Sequence, residues 1–297
     1  MKFKIVLFFT LFAVHFAMSQ SFLRNAEDDI ISKTYSQSWE LDSIHKKGTF
    51  RLSSHRSTYV TPARWTSRPN EKPNSANPNN SASDELSYDN FEVKFQLSLK
   101  TKVLQSILWG KGDLWIGYTQ IAHWQLYNEP LSRPFREINY EPELIFKYPL
   151  NIRAFGGHFK ALGFSFTHVS NGRELPYSRG WNRVIFDLAY ERDNWIVSLR
   201  PWIRLSEGNK DDNPDIVDKI GNGEISLAYN LERHQFYAVA SHPFSNLQGG
   251  NIQLNYIFPI KGHIRGHAQA FHGYGETLID YNYIQTTVGI GISFANW

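Results

Sequence analysis

From Asn90 onward the chain alternates. Phe91, Val93, Phe95, Leu97 and Leu99 are interleaved with Glu92, Lys94, Gln96 and Ser98. Successive side chains of a β-strand point to opposite faces, so a period of two puts the apolar set on one face and the polar set on the other. The pattern returns at 114–119, 162–167, 184–190, 195–200, 224–229 and 251–258. It closes with Ile284, Thr286, Val288, Ile290, Ile292 and Phe294 set against Gln285, Thr287, Gly289, Gly291 and Ser293. About eleven strands are visible in or just before this stretch; an even number is expected of a closed outer-membrane barrel, so one more falls near 51–64, giving about twelve. The Asn-, Pro- and Ser-rich segment 67–87 cannot propagate helix or sheet and reads as a loop. The polar stretch 21–48 shows no clear period.

A soluble, lipocalin-type barrel would show the same alternation with its faces exchanged. The polar set separates the two: Glu92, Lys94, Arg200, Arg204 and Glu224 would satisfy one another inside a narrow, partly packed lumen. The predicted fold is therefore all-β, a transmembrane antiparallel β-barrel of about twelve strands.

Composition sharpens this picture. The mean hydropathy of -0.42 would suit a soluble protein, yet aromatics make up 15% of the chain and Trp occurs nine times. Such a balance fits strands that show lipid only alternate residues, with aromatic girdles at both interfaces. The start of the chain reads as a signal peptide over 1–19: Lys2 and Lys4, an apolar run over 5–16, then Ala17-Met18-Ser19. That run is too short for a spanning helix of about 20 residues, which disfavours a retained anchor. With no cysteine, a lipoprotein anchor and disulfides are excluded. The aromatic last residue, Trp297, is typical of outer-membrane barrels. The expected division is signal peptide 1–19, polar segment 20–50 and barrel 51–297, placed in the outer membrane. A net charge of +3 and the lack of a basic cluster interleaved with aromatics exclude nucleic acid as partner.

Candidate chemistry concentrates in His168-Val169-Ser170-Asn171-Gly172-Arg173, followed by Ser178-Arg179-Gly180-Trp181-Asn182-Arg183. Strand residues two apart lie about 6.6–7 Å apart on one face. An imidazole and a hydroxyl so placed form an activated nucleophile and its base. Asn182 offers a neutral amide that would hold the imidazole in the productive tautomer. Phase then adds an inference. His168 and Ser170 carry the parity of Leu162, Phe164 and Phe166; Asn182 carries that of Val184, Phe186 and Leu188. All three project outward from strand ends, at the membrane interface, where a catalytic site makes sense only for a lipid substrate. In an isolated barrel strand, a His and a Ser would ordinarily be interfacial polar residues. The Ser170 N–H and the turn at Asn171-Gly172 are candidate oxyanion donors, and Gly172 permits a positive φ. The run Asp211-Asp212-Asn213-Pro214-Asp215 looks like a metal loop but lacks the spacing of a calcium-binding hand, and reads as a solvated turn, with metal binding the minority reading.

The run H-V-S-N-G-R-x4-S-R-G-W-N-R is similar to the active-site segment of outer-membrane phospholipase A. So are Tyr118-Thr119-Gln120, Trp124-Gln125-Leu126, Pro134-Phe135-Arg136-Glu137, Asn139-Tyr140-Glu141-Pro142 and Gly273-Tyr274-Gly275-Glu276. The similarity runs from about Asn90 to the C-terminus. The resemblance implies calcium-dependent hydrolysis of glycerophospholipid acyl esters (A1, A2 and lysophospholipase type) by a barrel activated on homodimerisation. It implies a Ser170-His168-Asn182 triad. It implies that the Arg173 carbonyl and the Ser178 side chain bind Ca2+, with Ser132 contributed by the partner subunit, and that Gln120 lies in the dimer interface bonded to its twin. There is one departure: the family often has Asp, associated with a secondary calcium site, where this chain has Leu175, preceded by Glu174. Two alternatives remain. A lipid A deacylase would call for an acidic third member, which Asn182 is not. A porin or purely structural barrel would need no triad, and a porin would need a wide, water-filled lumen.

Overall fold

The structure is a computed structural model that describes residues 33–208, 211–243, 248–261 and 264–295. The signal segment and Trp297 lie outside the described residues. Thirteen strands form one antiparallel sheet: β1 (Leu52–Ser54), β2 (Thr58–Thr66), β3 (Phe91–Leu104), β4 (Asp113–Trp124), β5 (Glu137–Ala154), β6 (Gly157–Ser170), β7 (Gly180–Arg192), β8 (Trp195–Leu205), β9 (Gly223–Leu231), β10 (His234–Ser241), β11 (Asn251–Lys261), β12 (Ile264–Tyr274) and β13 (Ile284–Ala295). β2 pairs with both β3 and β13, so the ladder closes. β1 pairs with β3 at Leu52↔Thr101 to Ser54↔Leu99, in line with β2 along the same neighbour. The two are one strand interrupted at His55–Ser57, and the barrel is twelve strands around. That interrupted strand is the one expected near 51–64.

The outward face is the anticipated one. Leu162, Phe164 and Phe166 are about half exposed, at 51%, 51% and 47%, whereas the alternate residues Ser165 and Thr167 are buried. The lumen is lined by paired charge. Glu92 binds Arg64 and Arg136 (2.6 and 2.8 Å); Glu276, from the β12–β13 loop folded into the barrel, binds Arg64 and Lys94. Arg200 joins Glu224 at 2.5 Å. Arg204 departs from the expected lumenal network and pairs instead with Asp211 in the β8–β9 loop, at 2.6 Å. A buried charge stripped of its partner costs several kcal/mol, so these ion pairs are coupled to one another rather than being independent increments.

The connections differ in length between the two ends. β5 and β6 are joined by Phe155-Gly156, both at positive φ (51° and 79°), as a type I′ hairpin turn requires. β7–β8 and β9–β10 are likewise joined by two residues each. The loops at the other end are long and pack on one another. Short turns face the periplasm and long loops the cell surface in such barrels.

The polar N-terminal stretch, unassigned from its sequence, plugs the short-turn half of the lumen. Helix α1 (Tyr35–Trp39) begins with a capping box, Thr34 accepting from the Gln37 N–H while the Gln37 side chain accepts from the Thr34 N–H. Its aromatics reach across the barrel. Tyr35 donates to Asp187 (3.1 Å) and accepts from Lys147 (2.8 Å). Trp39 packs edge-on against Trp115, centroids 5.7 Å apart, with the Lys100 ammonium 3.5 Å from its ring centroid. Glu40, just past the helix, pairs with Lys102 at 2.8 Å. Truncating a buried Trp costs about 3–5 kcal/mol. Trp39→Ala is therefore expected to lower the guanidinium midpoint of the refolded barrel correspondingly; an unchanged midpoint would mean that the plug contributes nothing to stability.

Candidate active site

β6 and β7 pair in register through Thr167↔Arg183, His168↔Asn182 and Ser170↔Gly180. Residues opposite each other across an antiparallel pair share a face. His168 and Asn182 thus meet on the outer surface, and His168 Nδ1 lies 2.8 Å from Asn182 Oδ1. An amide oxygen only accepts, so the imidazole must carry its proton on Nδ1, leaving Nε2 as the basic nitrogen. Ser170 follows two residues on, at the long-loop end of β6, with the same parity. Its hydroxyl makes no hydrogen bond among the described residues. Active-site bonds of this kind often tighten only when substrate arrives.

The loop after Ser170 is held from behind. The Asn171 side chain accepts from the Arg173 and Arg179 N–H groups (3.3 and 3.0 Å) and donates to the Tyr177 carbonyl (2.8 Å). The Asn171 N–H donates to the Arg179 carbonyl at 3.1 Å, which removes it from the expected oxyanion donors. The Gly172 N–H has no acceptor among the described residues. Gly172 adopts φ +63°, and a Cβ there would meet the Tyr140 ring at 3.2 Å. Tyr140 in turn lies directly across β5–β6 from Ser170. The positive φ favours glycine, and a side chain there would press on the Tyr140 ring.

The acidic run after β8 is not a solvated turn. Asp212 accepts from the Ser178 hydroxyl (2.6 Å) and from Asn80 (3.0 Å). The Asn213 side chain accepts from the Gly180 N–H (3.0 Å), and Asp215 accepts from Tyr281 (2.6 Å). Asn80 sits in the Asn- and Pro-rich loop, which also receives Arg179 through the Asn74 and Asn80 carbonyls. With Arg173 donating to the Arg136 carbonyl of the β4–β5 loop (3.0 Å), three loops clamp the 171–179 segment. The Asp212 contact was invisible to spacing rules, because its partner lies 34 residues away.

Ser178 and Arg173 lie on this same loop. The Arg173 carbonyl accepts no hydrogen bond among the described residues, and Ser178 brings a hydroxyl with a carboxylate behind it. Among the described residues no cluster of three or more His, Cys, Asp or Glu is poised for a metal. The donor set is hard oxygen, which suits Ca2+ and few other ions. Ser132 lies apart, after β4, donating to the Glu129 carbonyl (3.1 Å) and accepting at its own carbonyl from Trp124 (2.8 Å). Leu175 is 61% exposed at the tip of the site loop. Gln120 projects outward from β4 and accepts from the neighbouring Tyr118 hydroxyl at 3.0 Å.

Sequence reasoning missed one residue of the constellation. Asn182 Nδ2 donates to Glu207 at 2.6 Å. Glu207 stands beyond the end of β8, in a segment without hydrophobic period.

The chain resembles known proteins along most of its length. A family model described as phospholipase A1 matches residues 35–294. A putative phospholipase A1 of Neisseria meningitidis serogroup B is 37% identical over 262 residues, 86% of this chain and 68% of the relative. The phospholipase A1 of Escherichia coli K12 is 41% identical over 201 residues, 68% of each chain. Among solved structures, a Salmonella typhi outer-membrane phospholipase, described as a dimer with bound calcium, superimposes with TM-score 0.75 at 34% identity, covering 84% of this chain and 94% of that one.

Gly172→Ala is expected to lower phospholipid hydrolysis about tenfold, by straining the turn at a cost of about 1 kcal/mol or more. Heat-modifiable gel migration should show the barrel still folded. Full activity in this variant would mean the turn tolerates a side chain.

Proposed function

The chain belongs to the phospholipase A1 family and is an outer-membrane phospholipase, and from this we propose that Ser170, His168 and Asn182 are its hydrolytic triad, acting with calcium in a homodimer. The observation that carries the reading is the 2.8 Å bond from His168 Nδ1 to Asn182 Oδ1 on the lipid-facing side of the barrel, two residues along the strand from a serine whose hydroxyl makes no hydrogen bond among the described residues.

The chemistry follows from that tautomer. His168 Nε2 takes the Ser170 proton as the serine oxygen attacks the ester carbonyl of a glycerophospholipid. The carbonyl becomes a tetrahedral oxyanion, for which the Gly172 N–H is a donor. The imidazolium then gives its proton to the departing lysophospholipid oxygen, leaving an acyl-serine. Water, deprotonated by His168, attacks the acyl carbon; the proton returns to Ser170 and a fatty acid leaves. Asn182 keeps the ring oriented throughout, but as a neutral amide it stabilises the imidazolium less than a carboxylate would.

The Arg173 carbonyl and the Ser178 hydroxyl, with Asp212 at 2.6 Å from the latter, would hold Ca2+, which when bound supplies positive charge to a developing oxyanion or an attacking water. A second copy of the chain would contribute Ser132, and the outward Gln120 amides would face one another across the interface. An amide on a lipid-facing surface gains from such a partner.

The test is fatty-acid release from phosphatidylcholine mixed micelles by the detergent-refolded barrel. Ser170→Ala and His168→Ala are expected to lose at least about a thousandfold, and Asn182→Ala about 10- to 100-fold. Chelation should abolish the wild-type rate and added calcium restore it. Wild-type rates for Ser170→Ala would overturn the triad; chelator-resistant activity would overturn the calcium reading.

A further inference from the structure

Asn182 faces two partners. Its Oδ1 meets His168 Nδ1 at 2.8 Å, and its Nδ2 meets Glu207 at 2.6 Å. The two ends of a carboxamide are nearly the same shape, so packing alone cannot say which end meets the histidine. A carboxylate can. An ionised glutamate only accepts, so it selects the amide nitrogen and turns the amide oxygen toward the ring. The choice matters, because with the amide reversed an Nδ2 donor would meet His168 Nδ1. The imidazole would then have to carry its proton on Nε2, where it could not act as base toward Ser170. Glu207 is placed for this by the β7–β8 ladder: Asn182 lies directly across from Leu205, and Glu207 follows two residues later.

We propose that Glu207 is a positioning residue for the hydrolytic relay, fixing the Asn182 amide so that its oxygen orients His168 and lending the relay the negative charge that a neutral amide lacks. The proposal rests on the triad reading above. It extends the chain Ser170–His168–Asn182 by one member that ends in a carboxylate, two hydrogen bonds behind the imidazole. Burial, then the nearby Asp211 carboxylate and, more weakly, Asp212, push the Glu207 pKa up, whereas the Arg204 cation and the bond from Asn182 favour the ionised form that the role needs. Arg204 is already committed to Asp211 (2.6 Å), and Asp212 to Ser178 and Asn80. Asn182 is therefore the hydrogen-bond partner of Glu207 among the described residues.

Steady-state kinetics of the full, refolded chain on phosphatidylcholine mixed micelles with calcium test this. Glu207→Ala is expected to lower kcat about three- to tenfold with KM unchanged. The acid limb of kcat/KM should move to lower pH by a few tenths of a unit, because removing a negative neighbour disfavours the imidazolium. Glu207→Gln offers an amide oxygen that can still accept from Asn182, so kcat should recover most of its value while the pH shift remains. In an Asn182→Ala background, Glu207→Ala should cost nothing further. The proposal is overturned if Glu207→Ala keeps the wild-type kcat and pH profile, or if it costs as much without Asn182 as with it. Ser170→Ala in the same assay separates the two readings: an active Ser170→Ala removes the triad itself, whereas an inactive one beside an unaffected Glu207→Ala removes only this extension.

Discussion

A bilayer offers no hydrogen bonds to a peptide group, and every feature of this molecule descends from that constraint. A sheet that crosses lipid must leave no unpaired edge, so it closes. Closure is achieved here by β2, which pairs with β3 on one side and β13 on the other. Once the ring is shut, each strand has one face for lipid and one for the lumen, and the alternation in the sequence becomes a map of inside and outside. A narrow lumen then sets its own demand, since charges that face inward must pair within the ring. Glu92 with Arg64 and Arg136, and Arg200 with Glu224, meet it. The interior is thereby lined with paired charge, where a porin keeps a wide water-filled channel. The triad proposed for it lies on the outer wall.

That wall supplies a favourable setting. His168 and Asn182 are held by paired strands rather than by a free loop, so their meeting distance is set by the ladder. Ser170 sits where regular pairing gives way to a turn that three loops brace from behind. Rigid strands position the proposed base, and a clamped turn presents the proposed nucleophile beside Gly172. The same loop carries the Arg173 and Ser178 oxygens, so the groups expected to meet a cation and those expected to meet the ester move as one body.

What the sequence disclosed, and what it withheld, follows from how each feature is stabilised. Strand phase is a local property: Leu162, Phe164 and Phe166 declare their face without reference to anything distant, and they carry His168 and Ser170 with them. Residue types at fixed spacing are equally local, so the candidate run at His168–Arg173 could be picked out directly. The plug could not. Helix α1 is five residues long, too short to show a period, and Tyr35 and Trp39 gain their place only from Asp187, Lys147 and Trp115, which are far away in the chain. Asp212 and Glu207 belong to the same class. Nothing near Asp212 in sequence announces Ser178, and nothing near Glu207 announces Asn182. The reading of the acidic run as a solvated turn failed because burial among loops is a tertiary property.

The outward placement of the triad proposed at His168, Ser170 and Asn182 would also decide in what units this phospholipase works. Its substrate would not pass through bulk water on the way to Ser170, so molarity in solution would have no bearing on occupancy. What counts is the mole fraction of cleavable lipid in the leaflet at the long-loop end, together with lateral diffusion in two dimensions. Inert amphiphile mixed into that leaflet acts as a diluent, just as solvent does for a soluble enzyme. Products that remain in the plane, a lysophospholipid and a fatty acid, build up around the barrel that made them, so the enzyme gradually rewrites the medium in which it turns over.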